Sequence, residues 1–119
     1  MKRDMRLYVQ DILESIEAIE EYMQTLTEEK FYKIRQVQDA VLRRLEIIGE
    51  AAKKMDEDFK SEYPDIPWKK IGGMRDILIH EYFGVNLKRV WLITREDLPE
   101  LKLKISRVWE EIKELRGEQ

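Results

Sequence analysis
Three apolar stripes constrain this chain more than any other feature. Between residues 4 and 25, Met5, Val9, Ile12, Ile16, Ile19 and Met23 recur at three- and four-residue steps, a spacing that places them along one side of an α-helix. The opposite side is acidic, with Asp11, Glu14, Glu17, Glu20 and Glu21, and reads as a solvated face. The second stripe is Phe31, Ile34, Val37, Val41, Leu45, Ile48, Ala52 and Met55. With Thr27 as a cap and Glu28-Glu29 in the first turn, it predicts a helix running to about Asp56 with an early bend, roughly 30 residues or about 45 Å long. The third stripe is Leu98, Leu101, Ile105, Val108, Ile112 and Leu115. No stretch alternates apolar and polar residues as a half-buried strand would. Helices with one apolar side must bury it against one another, so the expected fold is all-α, an antiparallel bundle of about four to six helices.

The segments between the stripes carry the punctuation. Residues 57–73 read as irregular, with Pro64, Pro67 and Gly72-Gly73 and a helical turn from Pro67 to Ile71. Trp68 reads as a core anchor. A helix over about 71–83 follows, closed by Gly84, which adopts a left-handed C-terminal conformation most easily. Asn86 can cap a short helix holding Leu87, Val90 and Trp91. Thr94-x-x-Asp97 and Pro99 mark another helix start. Gly49, Ala51 and Ala52 are small and suit close approach of a neighbouring helix.

At 119 residues the chain is expected to form one domain, 1–119. Apolar residues at 43% and charged residues at 39% give a folded rather than a disordered composition. The chain has no cysteine, which excludes thiol catalysis and disulfides and fits a reducing, cytoplasmic setting. No apolar run approaches the ~20 residues of a membrane span, and no signal-peptide core is seen. The net charge of −3 argues weakly against a general nucleic-acid binder. From Trp68 to Arg95, however, the cations Lys69, Lys70, Arg75, Lys88, Arg89 and Arg95 face only the anions Asp76 and Glu81, as a phosphate-binding region requires.

The chemistry concentrates in Met74-Arg75-Asp76-Ile77-Leu78-Ile79-His80-Glu81-Tyr82-Phe83, which holds the only histidine. On a helix Arg75 and Tyr82 are one heptad apart and drift by only ~20°. Asp76 and His80, at i,i+4, can touch. Arg75 and His80 stand about 140° apart, so they converge only on a locally widened helix or beneath a partner surface. His80 titrates nearest neutrality and suits acid/base work. Arg75 presents a planar, permanent cation that fits phosphate, Asp76 can orient the imidazole, and Tyr82 offers a modifiable hydroxyl. The same residues are also what a packed histidine with a structural ion pair would leave in a sequence.

Arg75-Asp76-x-x-x-His80-x-Tyr82 resembles the Arg-x4-His-x-Tyr motif of the HEPN superfamily. The flanks resemble its HepT-type branch, the toxins of HEPN/MNT toxin–antitoxin pairs. They are Gln38 through Ala52, Tyr63-Pro64-Asp65-Ile66-Pro67-Trp68, Gly73 through Val85, Val90-Trp91 and Glu96-Asp97-Leu98-Pro99. The resemblance implies a metal-independent endoribonuclease without a cofactor, in which two protomers of a homodimer line a shared cleft. It implies Arg75 and His80 as catalytic residues, with Asp76 in support. It implies an RNA substrate and, as partner, a minimal nucleotidyltransferase antitoxin that transfers AMP to Tyr82. HEPN-like domains without nuclease activity share the fold, so a non-catalytic adaptor for a nucleotidyltransferase is the rival reading.

Overall fold
The computed structural model describes residues 3–80 and 86–117, with side chains for 3–74 and 86–113. Its elements are α1 (Met5–Met23), α2 (Glu28–Phe31), α3 (Arg35–Lys54), α4 (Glu57–Ser61), α5 (Trp68–His80), α6 (Leu87–Leu92), a π-helical turn (Ile93–Asp97) and α7 (Leu98–Gly117). The fold is all-helical, with no strand among the described residues.

Helix α1 starts where Asp4 accepts a hydrogen bond from the Arg6 amide at 2.9 Å, satisfying one of the otherwise unpaired first-turn donors. Its apolar stripe is buried from Val9 onward: Val9, Ile12 and Ile16 have no exposed surface, Ile19 has 1% and Met23 has 4%, while Met5 is partly buried against the same core. It packs between α3 and α7 and is antiparallel to both. The Asp56 amide, just past α3, meets Met5 Sδ at the start of α1 at 3.4 Å. Lys102 near the start of α7 pairs with Glu20 near the end of α1 at 2.7 Å. The stripes of the three helices meet in one core, with Val41, Leu45, Ile48, Ile105 and Val108 at its centre.

The second stripe is not one long helix. The chain leaves α2 at Tyr32, passes through Ile34 in an extended conformation (φ −110°, ψ 90°) and restarts at Arg35. Two interactions hold the break. Gln38 Nε2 donates to the Phe31 carbonyl at 3.0 Å, which also accepts from the Ile34 amide at 3.4 Å, so a side chain from α3 helps to close the end of α2. Phe31, fully buried, reaches the Trp91 ring at 5.8 Å between centroids, a contact α2 gains by leaving the line of α3. The Thr27 cap is present, accepting from the Lys30 amide at 3.2 Å.

Two further expectations are corrected. The segment 57–73 is more helical than its prolines suggest: α4 occupies Glu57–Ser61, and α5 begins at Trp68 and continues through Gly72-Gly73. Thr94 and Asp97 do not open a new helix. The chain runs unbroken from α6 into α7 through the π-helical turn, and the Thr94 hydroxyl donates to the Trp91 carbonyl at 2.7 Å. Pro99 supplies the reason. In a regular helix its ring would collide with the carbonyl four residues back and it lacks the N–H to bond there. The turn widens instead, so that the Leu98 amide reaches the Ile93 carbonyl five residues earlier. Asn86 caps α6 as expected, accepting from the Arg89 amide at 3.1 Å. No helix among the described residues is long and apolar enough to cross a membrane.

Candidate functional site
The candidate residues ride on α5, and the local sequence explains how that helix is placed. Ile66, Trp68 and Ile71 are buried at 3%, 9% and 5% exposure and pin its first turns to the core. The Trp68 indole N–H is shared between the carbonyls of Lys60 at 3.2 Å and Tyr63 at 3.1 Å. Trp68 is thus a core anchor tied to the α4 connection. Burial, and then Glu111, push the Tyr63 hydroxyl up to about 12, so that it stays protonated within this packing. Further along, α5 packs along α3, whose small residues are covered as expected: Gly49 is buried, Ala51 has 4% exposure and Ala52 none. A Cβ added to Gly72 would stand 2.8 Å from Lys53 Cγ, closer than two carbons tolerate. Glu50, beside that face, pairs with Lys54 at 3.0 Å.

Arg75, Asp76 and His80 all lie within regular α-helix. Asp76 and His80 are therefore one turn apart along the backbone. Among the described residues the π-widened segment is Ile93–Asp97, and residues 68–80 of α5 are regular α-helix. Arg75 and His80 keep the angular separation of about 140° that a regular helix imposes. Among the described residues 75–80, α5 is not widened in a way that would bring them together. The structure describes the backbone at Arg75, Asp76 and His80; Tyr82 and Gly84 lie outside the described residues.

Among the described residues, the cations of the 68–95 segment do not form one patch. Lys88 turns to α2 and pairs with Glu28 at 2.7 Å. Arg95 donates to the Leu26 carbonyl at 2.7 Å and lies 4.3 Å from the centre of the Trp91 ring. Lys70 and Arg89, with Lys104, line a groove of about 450 Å³ between α5 and the α6–α7 arm, where Glu96, Asp97 and Glu100 balance them. Lys69 lies on a different cleft, of about 500 Å³, with Lys53, Lys60, Glu57 and Gly72. No periodicity in the sequence reveals that cleft, because its lysines come from α3, α4 and α5, which only the packing of those helices brings together.

The chain matches the family described as "Ribonuclease HepT-like" over residues 12–108. It belongs to the HepT-like ribonuclease family. The match takes in α3, α5 and the whole candidate motif. Among relatives of this HepT-like chain, "Probable ribonuclease HepT" of Thermococcus cleftensis is 46% identical over 108 residues, covering 91% of the chain and 98% of that protein. "Gamma-glutamylcyclotransferase and putative RNase MJ0434" of Methanocaldococcus jannaschii is 48% identical over 112 residues, covering 94% of the chain and 50% of that protein. The HepT-like chain thus spans half the length of that relative and nearly all of the other. "Putative RNase TTE0752" of Caldanaerobacter subterraneus subsp. tengcongensis is 40% identical over 103 residues, 87% of the chain and 92% of that protein. No solved structure matches.

Proposed function
We propose that this chain is a metal-independent endoribonuclease acting as a homodimer, with Arg75 and His80 as its catalytic residues and Asp76 orienting His80. The observation that carries the reading is membership of the HepT-like ribonuclease family over a stretch that includes the whole Arg75-x4-His80-x-Tyr82 motif. In the proposed reaction a base takes the proton of an RNA 2′-hydroxyl. Its oxygen then bonds to the adjacent phosphorus, and the P–O5′ bond breaks. An acid returns a proton to the leaving 5′-oxygen, and a 2′,3′-cyclic phosphate remains on the other fragment. This needs two proton-transfer groups, and one chain has one histidine. A symmetric dimer supplies two His80 and two Arg75 to one cleft. It also removes the need for Arg75 and His80 of one helix to converge, because each can meet its counterpart from the partner. Arg75 stabilises charge on the phosphorane.

The same reading includes control by a minimal nucleotidyltransferase antitoxin. Transfer of AMP from ATP to the Tyr82 hydroxyl, with pyrophosphate leaving, would add bulk and negative charge two residues from His80.

The deciding experiment is cleavage of single-stranded RNA by the purified chain and by His80→Ala. Loss of an acid/base group is expected to slow cleavage by about 10²–10⁴-fold, with helix content and oligomeric mass unchanged. Arg75→Lys keeps the charge but loses the planar fork, and is expected to be slowed as well. Cleavage at the parental rate by His80→Ala would sink the assignment and leave the adaptor role.

A further inference from the structure
The groove of about 450 Å³ between α5 and the α6–α7 arm falls within the size range of small-ligand sites, roughly 300–1,000 Å³. Its floor is apolar. Ile71 and Met74 of α5 line it with Leu92, Ile93 and Leu101 of the arm, and Leu92 is left 37% exposed there. Six charged side chains among the described residues line it as well. Two of these are engaged with each other: Lys104 meets Glu100 at 3.4 Å, and also donates to the Asp65 carbonyl at 2.8 Å. The side chains of the other four, Lys70, Arg89, Glu96 and Asp97, have no hydrogen bond or ion pair among the described residues. Two cations and two carboxylates thus share one groove without meeting.

Their order along the arm says what fits between them. Arg89, Leu92, Ile93 and Glu96 follow at steps of three, one and three residues. That is one stripe of helix, with cation and carboxylate roughly 10 Å apart at ~1.5 Å per residue and apolar side chains between. Asp97 stands beside Glu96 in the π-helical turn, a geometry that Pro99 imposes and that recurs at functional sites. The complementary ligand has an anion at one end, a flat apolar body, and hydrogen-bond donors at the other end. A nucleotide is built in that order, from phosphate through the ring face to the N–H groups of the ring edge.

The carboxylates select the base. An ionised carboxylate only accepts, through two oxygens. Guanine N1–H and N2–H lie side by side and satisfy both. Adenine and cytosine offer one amino group beside a ring nitrogen that is itself an acceptor. Uracil offers one N–H between two carbonyls. Each of these three sets an acceptor against the carboxylate. The groove is also clear of the side of α5 assigned to the dimer: Asp76 and His80 stand about 160° and 120° round the helix from Met74, at ~100° per residue.

Resting on the nuclease reading, we propose that this groove is a guanine subsite for the single-stranded RNA substrate. Lys70 and Arg89 hold the phosphate, the ring lies on Leu92 and Met74, and Glu96 with Asp97 accepts from the Watson–Crick edge, the edge that unpaired RNA leaves free to be read.

The test measures anisotropy of two fluorescein-labelled strands, a short oligouridine and the same strand with one central guanosine. The full chain carries His80→Ala so that the probes survive. The guanosine strand is expected to bind at least about fivefold more tightly. Glu96→Gln combined with Asp97→Asn is expected to erase that preference. Both side chains are exposed and both changes are isosteric, so helix content is expected to hold. Lys70→Ala and Arg89→Ala are each expected to weaken both strands alike and to lower the slope of log K against log salt by about 0.7, because phosphate contacts position the strand without reading it. Equal affinity for the two strands, or a preference untouched by the double variant, would overturn the subsite while leaving His80-dependent cleavage, and thus the nuclease reading, intact. Guanosine monophosphate that displaces the guanosine strand at concentrations near the strand's own Kd would name a free nucleotide as the occupant and overturn the RNA assignment. A His80→Ala chain that binds neither strand would overturn the subsite, and if the parental chain also leaves RNA uncut, the nuclease reading falls with it.

Discussion

Lys53 on α3 lies across Gly72 on α5, and a Cβ built on the glycine would stand 2.8 Å from Lys53 Cγ. The two helices are thus as close at this level as their backbones and the lysine stem permit. Gly72→Val adds a branched side chain where the stem runs. It is expected to cost about 1–3 kcal/mol and to lower Tm in thermal unfolding followed by circular dichroism. An unchanged Tm would mean that Lys53 can leave α5 at no cost.

Phe31 is the hinge of the second apolar stripe. It is fully buried and packs on Trp91, so it holds α2 against α6 rather than in line with α3. Phe31→Ala is expected to destabilise by about 3–5 kcal/mol, read from the midpoint of urea unfolding. A loss under about 1 kcal/mol would place α2 outside the cooperative core.

The Lys88–Glu28 pair makes a pH prediction. Lys88, followed by the Tyr32 hydroxyl, holds the Glu28 carboxyl below its ordinary range. A depressed carboxylate contributes stability that is present above its unfolded pKa and lost as pH falls through the lower folded value. Glu28→Gln is therefore expected to have a lower Tm than the parent at neutral pH. That gap closes as pH falls through the acidic carboxylate range. At the other end, Glu28 pushes Tyr32 up to about 12. Its contribution is kept below the ordinary tyrosine value and lost as pH rises through about 12. A gap that is constant from acid to neutral pH would show that Glu28 acts through packing alone.

The proposed control at Tyr82 is tested by intact mass. Co-expression with a minimal nucleotidyltransferase and ATP is expected to add AMP masses to the chain, to abolish RNA cleavage, and to leave Tyr82→Phe unmodified and active. Equal AMP addition to Tyr82→Phe would place the modification on another residue.

The sequence made the helices legible because their signal is local. The stripes of α1 and α7 follow from a repeat of 3.6 residues meeting a single buried side, and the Asp4, Thr27 and Asn86 caps act within three residues of themselves. The candidate motif was legible for the same reason: Arg75, Asp76, His80 and Tyr82 sit within eight positions of one another. Family membership adds weight to that segment, since the matched stretch contains it.

What the tertiary structure decided depends on residues far apart in the chain. The second stripe looked continuous because Phe31 and Ile34 keep the helical step; only contact with Trp91, 60 positions on, rewards a break there. Pro99 reads as a helix start until the chain is seen to pass through it by widening the preceding turn. Gly72-Gly73 reads as a boundary, yet α5 runs through both: burial of Trp68 and Ile71 outweighs the cost of about 1 kcal/mol per interior glycine. The two glycines are alike in sequence and become different only when α3 brings Lys53 over one and leaves the other open. Local propensity determined which segments are helical. Packing between distant segments determined where they break and which faces are left for a partner.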